Sequence, residues 1–142
     1  MQIGIDTSMT EQLAAGFRGR KVAFAYLFGS QTTGRVGPLS DIDIAVGFDE
    51  SVASEERFAL RLQVQGELGD LFKTDNVDVV VLNDAPPLLA HRVVKEGRLL
   101  FCADHKGRLA FETTAVLKYL DWKPLIDKYT RQTLDSGAKH GR

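Results

Sequence analysis

The sequence predicts one α/β (α+β) domain, a small mixed β-sheet of about four strands flanked by helices, with a helical C-terminal tail. Three observations carry this. The apolar runs Val22-Ala23-Phe24-Ala25-Tyr26-Leu27-Phe28 and Ile42-Asp43-Ile44-Ala45-Val46 are rich in β-branched and aromatic residues and read as strands. The loop joining them has no room for a crossover helix, so these two strands are expected to be antiparallel neighbours. After them, helix, strand, helix and strand follow in turn, which suggests a mixed sheet rather than a doubly wound parallel one.

Taken in order, Ser8-Met9-Thr10-Glu11 has capping-box spacing and precedes Leu13-Ala14-Ala15-Gly16-Phe17, so a short helix is expected over about residues 9–18, ended by Gly19. The first strand covers residues 21–28. The loop over 31–39 holds Gly34, Gly37 and Pro38, which a ladder would not accept. The second strand runs over roughly 40–48. Glu50-Ser51 then opens a second helix, with Ser51 or Ser54 as cap and Glu55-Glu56 at the positive end of its dipole. Leu60, Val64, Leu68 and Leu71 give it an apolar stripe that reads as core.

A third strand is expected over residues 77–82. Its valine content predicts burial on both faces, which makes Asp78 costly unless it is paired or bound to metal. Asn83 or Asp84 would cap a third helix over 87–95, with proline in its first turn and Gly97 closing it. Arg98-Leu99-Leu100-Phe101-Cys102 reads as a fourth strand. From Asp104 the pattern is helical, in two segments divided at Pro124, and residues 136–142 are polar and small. The 142 residues thus form one domain, with a core over about 20–103 and a tail over about 104–135.

Composition narrows the function classes. Hydrophobic residues make up 44% and charged residues 26%, as in a soluble globular protein. A net charge of −1 and the absence of a basic stripe argue against direct binding to nucleic acid. No apolar stretch approaches the roughly 20 residues needed to cross a bilayer. A single cysteine, Cys102, forms no internal disulfide and points to a reducing cytoplasm, where it reads as a small core residue. His91 reads as a surface residue. Trp122 and Tyr129 fit either core packing or a partner-binding patch.

The chemistry concentrates between the first two strands. Side chains alternate along a strand, so Asp41 and Asp43 project to one side and Ile42 and Ile44 to the other. Two carboxylates on one face suit a hard cation such as magnesium, which takes oxygen ligands and completes its shell with waters and substrate phosphates. Gly29 lets a phosphate approach the backbone closely, and Ser30 adds a hydroxyl and an N–H. Asp78 also fits a strand-start residue paired with an arginine, and Arg35 also fits a solvated loop charge.

Gly29-Ser30, ten residues, then Asp41-Ile42-Asp43, with Asp78 a strand later, resembles the nucleotidyltransferase superfamily that includes polymerase-β-like enzymes. More closely, the chain is similar to the minimal nucleotidyltransferase (MNT-type) antitoxins encoded beside a HEPN-type ribonuclease toxin. The similarity spans roughly residues 22–101 and includes Ser40-Asp41-Ile42-Asp43-Ile44-Ala45-Val46 and Lys95-Glu96-Gly97-Arg98-Leu99-Leu100. Where relatives often carry Ala and Arg after the Gly-Ser, this chain has Gln31-Thr32-Thr33, with Arg35 as a substitute.

The resemblance implies a nucleotidyltransferase fold and a catalytic set of Asp41, Asp43 and Asp78 holding two Mg²⁺ ions. It implies ATP as substrate, with Ser30 on its terminal phosphates, Gly29 allowing close approach and Arg35 nearby. The implied reaction moves AMP to a tyrosine hydroxyl of the cognate HEPN toxin, which silences it; toxin and antitoxin would form a hetero-oligomer. Two other classes remain open: transfer to a small molecule of the aminoglycoside kind, and a non-catalytic antitoxin that inhibits its toxin by binding alone.

Overall fold

The two faces of the second strand decide how the molecule is layered. The structure, a computed structural model, describes residues 7–29 and 42–139, with side chains to residue 132. Its elements are α1 (Thr7–Gly19), β1 (Val22–Phe28), β2 (Ile42–Phe48), α2 (Ser54–Phe72), β3 (Val77–Val81), a 3-10 turn (Leu82–Asp84), α3 (Pro87–Glu96), β4 (Arg98–Cys102) and α4 (His105–Lys139). The sheet order is β3-β2-β1-β4. β1 pairs antiparallel with β2 and β4, while β3 lies parallel to β2 because α2 carries the chain back across the sheet.

Alternation sends Ile42, Ile44 and Val46 to one side, where they pack with Ala25, Leu27, Val77 and Val79 against Leu13 and Phe17 of α1 and Val64 and Leu68 of α2. On the other side Phe24, Tyr26, Phe28 and Ala45 meet Leu82 and Val93, with Phe111 of α4 against them. Each face therefore buries its own helices, giving three layers. Gly47 lies opposite Phe24, and any side chain there would run into the Phe24 ring. The aromatic covers the gap that the missing side chain leaves in the ladder.

Several local expectations are corrected. α1 already includes Thr7, so Ser8 sits inside the first turn and accepts a hydrogen bond from Gln12 instead of capping. α2 starts at Ser54 rather than at Glu50-Ser51, because Asp49 Oδ1 accepts the Ser51 N–H at 2.9 Å and holds the preceding residues in a turn. Neither serine caps it; Glu56 reaches back to the Ala53 N–H at 3.5 Å. β3 is an edge strand whose Val77 and Val79 are buried on one face, while Asp78 on the other is exposed and its charge remains hydrated at little cost, contrary to the burial on both faces its valines predicted. At that edge Arg61 of α2 donates to the Val79 carbonyl at 3.1 Å.

Asn83 and Asp84 do not cap α3, whose N-cap is Pro86. Asn83 instead grips the end of β2, accepting from the Phe48 N–H at 2.8 Å and donating to its carbonyl at 3.2 Å. Asp84 pairs with Arg57. α4 continues through Pro124 as one helix of 35 residues. The proline removes one backbone donor in an exposed stretch, where water can satisfy the Leu120 carbonyl. His91 is half-buried rather than on the surface, its ring stacked on Tyr119 at 3.6 Å and joining α3 to α4. Among the described residues no helix is long and apolar enough to cross a membrane.

Candidate active site

The acidic positions come together because two parallel strands start at the same end of the sheet. Asp43 is the second residue of β2 and Asp78 the second of β3, and the register places them directly opposite each other. Their side chains therefore leave the same face of neighbouring strands, about 5 Å apart at the backbone. Asp78 is exposed and engages no ion pair among the described residues, so the alternative of a strand-start residue paired with an arginine is not what the structure shows.

The third part of the site comes from β1. Phe28 pairs with Asp43, and Gly29, the next residue, turns out of the strand at φ +78°. A side chain on Gly29 would collide with Oδ2 of Asp43 and stand 3.1 Å from its carboxyl carbon. Glycine is required here twice over, by the left-handed backbone and by the carboxylate packed against it. Of the Gly-Ser corner, Gly29 thus lies directly against Asp43. Ser30, Arg35 and Asp41 lie outside the described residues.

Like charges directly opposite on adjacent strands repel, and a divalent cation between them removes that penalty. The donors are all carboxylate oxygens, the chemistry Mg²⁺ selects. The two described aspartates therefore fit such an ion. Among the described residues no group of three or more His, Cys, Asp or Glu could hold a metal.

Other clusters lie elsewhere. A cavity of about 370 Å³ between α1 and α2, lined by Leu13, Phe17, Val64 and Leu68, is on the opposite face of the sheet from the aspartates. On the aspartates' own face, the Tyr26 hydroxyl is buried beside the Arg108–Glu112 ion pair without a hydrogen-bond partner among the described residues. Burial, with a smaller push from Glu112, raises this phenol to about 12, and Arg108 offsets only part of that. Its signal in the sequence is a single hydroxyl-bearing side chain within an otherwise wholly apolar strand. Cys102 is half-buried rather than core, with its Sγ 3.6 Å from His105 Nδ1.

Comparison with known proteins gives the family and the fold. The model of the family described as polymerase beta, nucleotidyltransferase, matches residues 11–106. A curated relative, the protein adenylyltransferase MntA of Aphanizomenon flos-aquae, is 38% identical over 85 residues, covering 53% of this chain and 53% of the relative. The chain thus spans about half the length of that relative. Among solved structures, a toxin–antitoxin crystallised with AMP-PNP superposes with a TM-score of 0.66 at 24% identity, covering 85% of this chain and 98% of that one. A tri-AMPylated HEPN toxin of Shewanella oneidensis in complex with its MNT antitoxin gives 0.61 at 23% identity, covering 85% and 95%. At these identities the structural likeness establishes the fold.

Proposed function

This chain belongs to the polymerase beta nucleotidyltransferase family, and on that premise we propose that it moves AMP from ATP to a tyrosine hydroxyl of a cognate HEPN-type ribonuclease toxin in the cytoplasm, acting as its antitoxin. The observation that carries the reading is the opposed pair Asp43 and Asp78 with Gly29 closed against the first of them. The relatives named adenylyltransferase and crystallised with an AMPylated HEPN toxin support the choice of AMP and of a protein acceptor.

In the proposed reaction the acceptor oxygen attacks the α-phosphorus, the bond to the bridging oxygen breaks, and pyrophosphate leaves in line. Asp43, Asp78 and Asp41 would hold Mg²⁺, which when bound neutralises phosphate charge and lowers the barrier to displacement. Asp78, exposed at the sheet edge, would orient the incoming hydroxyl and take up its proton. Gly29 admits the phosphates to the backbone, and Ser30 and Arg35 would bind them. Holding the two reactants in line supplies much of the acceleration.

Incubating the protein with the HEPN-type product of the adjacent reading frame, Mg²⁺ and α-labelled ATP tests this. Label should enter the toxin, disappear with a chelator, and fall at least 100-fold in Asp43→Asn. Neutralisation of the toxin at full strength by Asp43→Asn would instead favour inhibition by contact.

A further inference from the structure

The last helix ends in an arm that is almost entirely exposed. From Asp121 to Gln132 every residue of α4 is exposed except Ile126, which is half-buried. Within this stretch Trp122, Leu125, Ile126 and Tyr129 recur at i, i+3, i+4 and i+7, the spacing by which an amphipathic helix fills an apolar groove on another protein. Trp122, Leu125 and Tyr129 are 51%, 57% and 73% exposed. The stripe continues the side of α4 that packs inward earlier in the helix through Phe111, Ala115 and Tyr119. The inward face thus runs on into a stretch that is almost wholly exposed.

Charge restricts what can cover it. Lys118, Lys123 and Lys128 lie on or beside the stripe, against only Asp121, in a chain whose overall charge is −1. An acidic rim is the complement of this local excess.

Area argues against a second copy as the occupant. Three side chains of this size leave on the order of 400 Å² exposed. Two arms paired about a two-fold axis would bury roughly twice that, the size of a lattice contact and below what a stable dimer needs. A partner that also engages the protein elsewhere does not meet that limit. The acceptor of the aspartate site is such a partner.

We propose that residues 118–131 form a docking helix that inserts Trp122, Leu125 and Tyr129 into an apolar, acid-rimmed groove on the protein acceptor and tethers it while its hydroxyl visits Asp43 and Asp78. This rests on the proposed transfer to a protein. Tethering raises the local concentration of acceptor at the site, so the arm acts on acceptor capture.

The test uses the full chain and the purified HEPN-type product of the adjacent reading frame. Trp122→Ala and Leu125→Asp, both at exposed positions, should weaken binding at least 30-fold by calorimetry. They should raise KM for the acceptor by a similar factor, with a far smaller change in kcat and an unchanged circular dichroism melt. Raising NaCl from about 0.05 to 0.5 M should weaken wild-type binding and affect the variants less. Binding within twofold of wild type in both variants overturns the proposal. So does a chain that sediments alone as a dimer which the same substitutions dissociate. Asp43→Asn separates the two readings: if it keeps arm-dependent binding and loses labelling, both stand. If labelling persists in Asp43→Asn, the transfer reading fails, and the binding result still decides the arm.

Discussion

Gly29→Ala is the substitution whose consequences follow most directly from the geometry. At φ +78° an alanine costs about 1–2 kcal/mol of backbone strain. Its methyl would also occupy the space of Asp43 Oδ2, so the carboxylate must rotate away or the corner must open. A displacement of about 1 Å at a reacting centre costs roughly 100-fold in rate. We therefore expect a urea-melt destabilisation of about 1–2 kcal/mol, together with a roughly 100-fold loss of AMP transfer in single-turnover assays. If Gly29 acts through Asp43, adding Gly29→Ala to Asp43→Asn should cost no further rate, although the stability loss remains. Full transfer by Gly29→Ala, or rate losses that simply multiply in the double variant, would refute the argument.

Asp78→Asn should lower transfer by roughly 100-fold or more while shifting stability by less than about 0.5 kcal/mol, because the side chain is exposed; a melt that falls with the activity would contradict this. Asn83→Ala strips partners from both the N–H and the carbonyl of Phe48. It should cost about 1–3 kcal/mol in a denaturant titration, and an unchanged midpoint would show that this bracket does not hold β2. Tyr26 has a phenol raised from 10.0 to about 12 in the folded protein. The folded state keeps its proton over a range where the unfolded chain loses it, so stability present below pH 10 declines as pH rises toward 12, by about 1.4 kcal/mol per unit. Tyr26→Phe should flatten that alkaline slope in urea melts at pH 8 and 11; parallel slopes in the two proteins would count against it.

Much of this was legible in the residues. Apolar runs rich in β-branched and aromatic residues located the four strands of the described residues, and the short first connection gave the antiparallel start. The parallel placement of β3, which puts Asp78 beside Asp43, follows from a crossover helix long enough to return the chain. What could not be read was position within the sheet. A valine-rich run looks the same at the centre and at the margin, so the exposure of Asp78 was missed. Asn83 and Asp84 showed capping chemistry, but longer-range partners, Phe48 and Arg57, claimed both side chains. Pro124 reads as a break in any local rule, yet the helix passes through it. The contact between Gly29 and Asp43 joins residues on separate strands, which spacing alone does not reveal.

The guanidinium that Arg61 lays on the Val79 carbonyl has a meaning for how the protein behaves in a crowded cell. The outermost strand offers hydrogen-bonding groups that a neighbouring molecule could extend into a continuous ribbon. A bulky cation fixed there makes such stacking begin with the ejection of a charge, which helps keep the chain dispersed at high expression.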